Sequence, residues 1–279
     1  SIDLGNMCDI DHTDMLAYLG ADPSTRVIVL HMDRLDRGSE FAKMARRITA
    51  YKPVIVVKPG RSPAAKEAVF SHTGSLAGDD SVFEAVCDQA GIVRAADFDE
   101  VEDLVRNFLY LSPLTGKRIG IINFSGATGI IACDACSQFG LEVADLSQTT
   151  IEKIAETLPP WATVKNPVDF MQSFEVDMRQ TLTVALQALL DDPNVDGIVL
   201  IVVVISMPPI DAYLNILKDL AGWELNKPVA VWALADEDST REIQGLASQG
   251  VVAFPSVTRA VKAMAASYSR YRYLESLGL

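Results

Sequence analysis

The chain has 279 residues, 49% of them hydrophobic and 22% charged, which is typical of a globular protein with one large or two ordinary domains. Its formal net charge of −13 argues against nucleic-acid or anionic-membrane partners, because both need a basic surface. The longest apolar run, residues 198–205, is far shorter than the roughly 20 residues of a transmembrane helix, and the N-terminus has no secretory signal pattern. We therefore expect a cytoplasmic protein.

The first half of the chain predicts strands that alternate with helices. An apolar run at residues 26–32 predicts the first strand, and a helical pattern follows it. Lys52-Pro53-Val54 opens a second apolar strand, and a turn at Gly91 leads into a third, short strand. Continuous apolar strands between amphipathic helices indicate a parallel sheet that is covered on both faces.

The second half repeats this plan. Asp-Pro at residues 192–193 precedes an apolar strand at residues 197–204, as Asp22-Pro23 precedes the first strand. Lys227-Pro228 then opens the next strand, as Lys52-Pro53 does in the first half. The chain therefore contains an internal repeat.

The repeat predicts an α/β fold of two flavodoxin-like, doubly wound parallel-sheet domains, residues 1–113 and 116–279, divided at a short polar turn cluster. The second domain opens with a strand at residues 118–123, a small-residue loop, a helix from about Thr128 and a strand at residues 141–143. The first copy has no counterpart of this opening unit, and the missing strand would leave a bare sheet edge. We therefore expect a fragment truncated within its first domain, or else a genuinely shortened protein, and an edge that favours oligomers.

A histidine lies among small residues at positions 71–78, Ser-His-Thr-Gly-Ser-Leu-Ala-Gly. The chain has three histidines, and His72 follows a predicted strand and the basic loop at residues 58–62. A neutral imidazole is a good nucleophile near pH 7, and its small neighbours would admit a bulky anion. His72 is therefore a candidate phosphoryl acceptor, although a solvated histidine near a turn is the alternative.

The strings around this histidine resemble the nucleotide-diphosphate-forming acyl-CoA synthetases, the superfamily of ADP-forming acetyl-CoA synthetase and succinyl-CoA synthetase. The similarity covers nearly the whole chain. It is carried by residues 52–62, 71–94, 5–9, 124–129 and 166–169.

The resemblance implies that His72 is phosphorylated and carries phosphate between an acyl-phosphate site and a nucleotide site. Thr73 and Gly74 are expected to bind the phosphate, and Gly74 and Gly78 would let the chain pack closely beside the phosphorylated ring.

A second candidate segment is the turn Ser125-Gly126-Ala127-Thr128-Gly129, which follows a predicted strand and opens a helix. Helix N-termini bind anions because their first N–H groups are unpaired and the helix dipole is positive there. The resemblance implies that this helix is aimed at the phosphorylated histidine. Family members often carry Gly at the position of Ala127. A plain strand-to-helix connection is the alternative.

Three charged residues complete the candidate site. Asp33 ends the first strand, where open parallel sheets place functional groups. Family members usually have Glu there, bonded to the active histidine, so the resemblance implies a catalytic role that the shorter Asp33 would have to fill; a solvated Asp33 is the alternative. Lys58 and Arg61 are candidate CoA or phosphate contacts, or else a solvated basic loop.

The remaining polar motifs are read as structural. Asn166 and Asp169, with Asn6 and Asp9 in the first copy, fit turn-capping roles that need no ligand. His31 is expected to be packed, and His12 to lie on the surface of a helix.

The four cysteines indicate neither a disulfide framework nor a metal site. Cys133 and Cys136 form a C-x-x-C pair, but they lie inside an apolar helical pattern, where small core residues are expected. A flavodoxin-like redox module that uses this pair is the competing interpretation. Bound flavin or thiol titration by oxidants would support it.

The resemblance implies part of an acid–thiol ligase that interconverts acyl-CoA, phosphate and ADP with a carboxylic acid, CoA and ATP. It implies CoA and ATP or ADP with Mg²⁺, bound mainly by a CoA-binding domain and an ATP-grasp domain or subunit outside this chain. The alternative is a non-catalytic regulatory or ligand-sensing module of a fused protein acetyltransferase, which the flanking gene sequence would reveal. The acyl substrate and the choice of ADP or GDP stay open.

Overall fold

Parallel strands alternate with helices along the described part of the chain, which confirms the predicted α/β fold. The structure is a computed structural model that describes residues 1–62, 64–65, 67–69, 79–170, 177–204 and 210–279. Its residues fall into two compact units, residues 1–105 with 272–279 and residues 106–271.

The first unit is built on a parallel three-stranded sheet in the order β1-β2-β3. Its strands are β1 (Ile28–His31), β2 (Val54–Val57) and β3 (Val93–Ala95). Its helices are α1 (His12–Ala21), α2 (Gly38–Thr49), α3 (Asp80–Ala90) and α4 (Phe98–Tyr110), the last of which continues into the second unit.

The second unit is built on a parallel six-stranded sheet whose main path is β5-β4-β7-β8-β9. Its strands are β4 (Arg118–Asn123), β5 (Glu142–Val143), β6 (Val168–Asp169), β7 (Gly197–Val204), β8 (Val229–Ala235) and β9 (Val252–Ala253). Its helices are α5 (Gly126–Gln138), α6 (Gln148–Ala155), α7 (Met178–Asp191), α8 (Ile210–Ala221), α9 (Glu237–Gly245) and α10 (Val257–Ser276). A short 3₁₀ turn, Ala247–Gln249, follows α9.

Alternate residues of the central strands enter two separate hydrophobic clusters in the second unit. On β7, Ile198 and Leu200 join one cluster, whereas Val199 and Ile201 join the other. Successive side chains of a strand point to opposite faces, so helices must cover the sheet on both sides. Each fully buried side chain of this kind stabilises the fold by about 1.5–3 kcal/mol.

In the first unit, the two faces of the sheet are not equally buried. All four residues of β2 are buried, but β1 alternates between buried and exposed positions. Ile28 and Leu30 enter the core, whereas Val29 is 40% exposed. The second face of β1 is therefore open within the residues that the structure describes.

One edge of β4 is completed by a side chain. β5 pairs with Arg118 and Ile119, and β6 pairs with Ile122 and Asn123. Between them, the Asn166 amide accepts a hydrogen bond from Ile121 N (2.9 Å) and donates to Ile119 O (2.8 Å). Asn166 Nδ2 also donates to Ala144 O at 2.9 Å. Asn166 thus takes the place of a strand backbone rather than capping a turn.

The two halves share a lysine-centred turn. Lys52 Nζ donates to Asp22 O (2.6 Å) and to Leu19 O and Gly20 O near the end of α1. Lys227 Nζ donates to Asp192 O (2.6 Å) and to Leu189 O near the end of α7. Each lysine thereby donates to carbonyl groups in the turn at a helix C-terminus, where the negative end of the helix dipole favours a cation.

Among the helices described, none combines the length and apolar composition that crossing a lipid bilayer requires.

Candidate functional site

The turn between β4 and α5 presents free backbone donors. Ser125 is the N-cap, and its carbonyl accepts hydrogen bonds from Thr128 N (3.0 Å), Gly129 N (3.2 Å) and Thr128 Oγ1 (2.8 Å). Its own hydroxyl caps no backbone N–H of the helix. Gly126 and Ala127 are exposed and belong to the first turn, where N–H groups have no partner within the helix and the helix dipole is positive.

In several other helices of the chain, the N-cap side chain already accepts a hydrogen bond from a first-turn N–H group. Side-chain oxygens of their N-cap residues accept from first-turn N–H groups in α1, α3, α6, α7 and α9. In α6 the cap is also a serine, Ser147, and its hydroxyl accepts from Thr150 N. Ser125 is chemically able to do the same. Its unused hydroxyl leaves the first turn of α5 available for an anion.

The turn rests on a buried amide. Asn123 is 1% exposed, and its Nδ2 donates to Ser125 O at 3.2 Å. Its Oδ1 has no hydrogen-bond partner among the described residues. A Cβ on Gly129 would overlap Nδ2 of this amide and lie 3.0 Å from its Cγ, so glycine is needed there. The Asp169 carboxylate also approaches, with Oδ2 3.6 Å from where a Cβ on Gly126 would lie.

Asp33 lies just beyond the carboxyl end of β1 and is half-buried. It lines a cavity of about 820 Å³, together with residues 1–7 and the neighbouring residues of β1. This cavity follows the open edge of β1.

Lys58 comes directly after β2 and is only 3% exposed, which makes the solvated-loop interpretation wrong for this residue. Its Nζ lies 5.4 Å from the ring centroid of Phe83 on α3, a cation–π arrangement. Arg61 is exposed, and its Nη2 donates to Ala95 O at the end of β3 (3.1 Å). The loop after β2 is thus fastened to both β3 and α3.

A buried arginine lies beside these two residues. Arg94 on β3 has a side chain that is 5% exposed and pairs with Asp80 and Glu84, one helical turn apart on α3. These bonds hold the pKa of Asp80 below its ordinary value. Sequence reasoning missed Arg94 and Asn123. Two features of the sequence could have indicated them. Arg94 is a charged residue inside a short strand, and Asn123 is an amide residue at the end of an apolar strand.

The three remaining candidates, His72, Thr73 and Gly74, lie outside the described residues, as does Gly78. The other two histidines differ from expectation. His12 is 8% exposed, so its predicted surface position is wrong, and its Nε2 lies 3.3 Å from His31 O. The expectation that His31 is packed is also wrong, because His31 is exposed, with its ring 5.4 Å from that of Phe98.

The C-x-x-C pair lies within α5. Cys136 is buried and Cys133 half-buried, and both are free thiols. Burial raises the pKa of Cys136 to about 12, which opposes thiolate chemistry. Among the described residues, no three His, Cys, Asp or Glu side chains are grouped so that they could hold a metal ion.

Both halves of the chain match known domains. Residues 1–108 match the succinyl-CoA ligase like flavodoxin domain, and residues 119–278 match the ligase-CoA domain.

The chain is 33% identical over 281 residues to the alpha subunit of acetate–CoA ligase (ADP-forming) II of Pyrococcus furiosus, covering 99% of this chain and 60% of the relative. It is 38% identical over 170 residues to acetate–CoA ligase (ADP-forming) of Methanocaldococcus jannaschii, covering 61% of this chain and 24% of that one.

A solved structure has the same fold. It is the dinucleotide-forming acetyl-coenzyme A synthetase 1 of Ca. Korarchaeum cryptofilum in complex with phosphate and ADP, with a TM-score of 0.84 and 26% identity. The match covers 99% of this chain and 60% of that one, so the chain spans less than two thirds of the length of these proteins. With both of its domains assigned, the chain belongs to the nucleotide-diphosphate-forming acyl-CoA synthetase superfamily.

Proposed function

We propose that this chain is the phosphoryl-carrying part of an ADP-forming acyl-CoA synthetase. The complete enzyme would interconvert acyl-CoA, phosphate and ADP with a carboxylic acid, CoA and ATP. Relatives of this chain are ADP-forming ligases that act on acetate or 4-hydroxybutyrate. The observation that carries the proposal is the first turn of α5, whose N–H groups are not bonded to its own N-cap side chain.

The proposed reaction has three steps. Phosphate attacks the thioester carbonyl, the C–S bond breaks, and CoA leaves as a thiolate that takes up a proton. A ring nitrogen of His72 then attacks the phosphorus of the acyl phosphate, and the carboxylate leaves as the P–O bond breaks. Finally, a terminal oxygen of ADP attacks the same phosphorus, the P–N bond breaks, and ATP forms.

The residues of this chain would hold the phosphoryl group between these steps. Backbone N–H groups of Gly126 and Ala127 would donate to its oxygens, with hydroxyl donors from Ser125 and Thr128. Gly129 admits the amide that supports the turn.

In the first unit, we assign Asp33 to the second ring nitrogen of His72, where a carboxylate would fix the tautomer. Thr73 and Gly74 would flank the ring. Arg61, which is exposed, is the stronger candidate for a contact with CoA or phosphate. Lys58, which is buried on Phe83, would act on such a ligand only through its charge.

Partners and cofactors follow from the same proposal. The CoA-binding domain and the ATP-grasp domain or subunit would lie outside these residues, and Mg²⁺ would neutralise charge on ADP and ATP there. The complete protein would be an oligomer that draws on cytoplasmic ATP and CoA, with a small carboxylic acid as substrate.

The test uses the full-length protein with ATP labelled in the γ-phosphate. Base-stable, acid-labile label should appear on His72 and disappear in His72→Asn; label retained in that variant would refute the role of His72.

Ala127→Asp tests the turn itself, because a carboxylate at this exposed position stabilises a helix N-terminus but repels a phosphoryl group. We expect labelling to fall about tenfold, since about 1.4 kcal/mol of repulsion corresponds to that factor. Thr149→Asp places the same charge at the matching position of α6, whose first turn is already capped, and should leave labelling unchanged. Equal labelling of both variants would exclude the α5 turn.

A further inference from the structure

Arg94 is fixed by both its backbone and its side chain. It lies in the middle of β3, where it pairs with Val56 on the central strand of the first sheet. Its guanidinium binds both carboxylate oxygens of Asp80, with Nη1 3.1 Å from Oδ2, and it also binds Glu84. A bidentate pair of this kind allows one orientation of the carboxylate relative to the guanidinium.

Asp80 is the first residue of α3, and Asp79 before it caps the helix by accepting from Ser81 N at 2.8 Å. The position and direction of the first turn of α3 are therefore set from the sheet through Arg94. In the sequence, this turn begins eight residues after His72.

Two further contacts fix the same turn. The ring of Phe83, on α3, lies 5.2 Å from the Arg94 guanidinium carbon and 5.4 Å from Lys58 Nζ. The pKa of Asp80 is lowered mainly by its hydrogen bonds with Arg94, and further by the charges of Lys58 and Arg61. Three cations from β3 and the loop after β2 thus act on the start of one helix.

Helix stability alone does not require this arrangement. Apolar residues of similar size stabilise a buried position as well as an ion pair does, or better, because burying charges is costly. In addition, the bidentate ion pair fixes the orientation of α3 relative to β3. A segment that must hold a reactive ring in place benefits from a fixed exit point.

We propose that Arg94 is a positioning residue for phosphoryl transfer, acting through Asp80 to fix the point at which the chain leaves the His72 segment. This inference rests on the proposed function. It predicts an effect on the rate of phosphoryl transfer rather than on substrate binding.

The test compares Arg94→Met and Arg94→Lys with Arg118→Met in the full-length enzyme. Arg118 is the control, because it also forms a bidentate pair with a single carboxylate, that of Asp196 in the second unit (2.8 and 3.0 Å). Single-turnover labelling of His72 is measured well below the unfolding temperature of every variant, with KM for ADP and for the acyl substrate.

We expect Arg94→Met to slow labelling about 10- to 100-fold, the range that small misplacement of a reacting group produces, with each KM changed less than about twofold. Arg94→Lys should recover part of the rate, since it restores the charge but not the bidentate geometry. Asp80→Asn combined with Arg94→Met should be no slower than Arg94→Met alone, because both act through one contact.

Wild-type labelling in Arg94→Met, or equal slowing in Arg118→Met, would overturn this inference while leaving the proposed function intact. A wild-type enzyme that carries no label on His72 would overturn both.

Discussion

The side-chain amide of Asn123 fills the space that a side chain on Gly129 would need, beneath the first turn of α5. Because Asn123 is buried and its Nδ2 is bonded to Ser125 O, the amide cannot move aside without breaking that bond. The shape of the candidate anion-binding turn therefore depends on the pairing of one amide with one glycine.

Gly129→Ala should consequently lower the free energy of unfolding by about 1–3 kcal/mol, the usual effect of overpacking a buried site. Urea denaturation would measure it. Gly245→Ala on α9 is the control: nothing lies within 4 Å of its added methyl group, so stability should be unchanged or rise by up to about 1 kcal/mol. A Gly129→Ala variant as stable as Gly245→Ala would show that the amide does not occupy this space.

Asn166→Asp should destabilise the sheet of the second unit. The aspartate keeps the acceptor for Ile121 N but loses both bonds donated to Ile119 O and Ala144 O. We expect a loss of about 2–4 kcal/mol, because the carbonyl oxygens of Ile119 and Ala144 each lose a donor and now face a carboxylate. The same change at exposed Asn226 should have little effect on the denaturation midpoint. Similar midpoints for the two variants would contradict the bridging role of Asn166.

The stability of the first unit should fall as the pH is lowered through about 6.5. Burial holds the pKa of His12 below its ordinary value of 6.5, so the unfolded chain takes up the proton more readily than the folded one. The contribution of neutral His12 is therefore complete above pH 6.5 and is lost as the pH falls towards the folded pKa. In His12→Gln, denaturation midpoints measured between about pH 7 and 5.5 should lose this dependence. An unchanged slope would mean that other groups cause it.

Cysteine alkylation should separate the four thiols. Cys8 is exposed, whereas burial raises the pKa of Cys87 and of Cys136 to about 12 and raises that of Cys133 as well. Iodoacetamide at pH 8, followed by peptide mass spectrometry, should modify Cys8 first, and Cys8→Ser should remove the fast reaction. Rapid loss of Cys133 and Cys136 under mild oxidation would instead revive the redox interpretation.

The sequence predicted best where long apolar runs determine the strand. The strand at residues 118–123 was predicted with its observed bounds, and α5 begins at Gly126, two residues before the expected start. The first strand was predicted too long, because the ladder with β2 pairs only Ile28–His31. Strand and helix periods could be read locally, so the α/β plan was accessible.

Contacts between distant residues were not accessible. Asn166 resembles a turn residue in the sequence, and its role depends on β4, more than 40 residues away. Lys58 resembles a solvated loop residue until Phe83 of α3 covers it. The position of His31 is not predicted because alternation along a strand does not reveal which face is covered, and that of His12 because its contact with His31 O joins residues 19 positions apart. The surroundings of each of these side chains include a residue that is distant in the sequence, and the sequence alone does not identify that residue.

Lys52 and Lys227 perform the same task in the two halves. In each half the lysine is followed by a proline whose carbonyl oxygen accepts a hydrogen bond from a strand. The donor is Ile28 N of β1 (3.0 Å) in one half and Ile198 N of β7 (2.9 Å) in the other. Two unrelated sequences would have little reason to converge on one ammonium group, one Asp-Pro step and one proline carbonyl. The halves are more simply understood as descendants of a single ancestral gene that was duplicated in tandem, after which the copies diverged into different tasks.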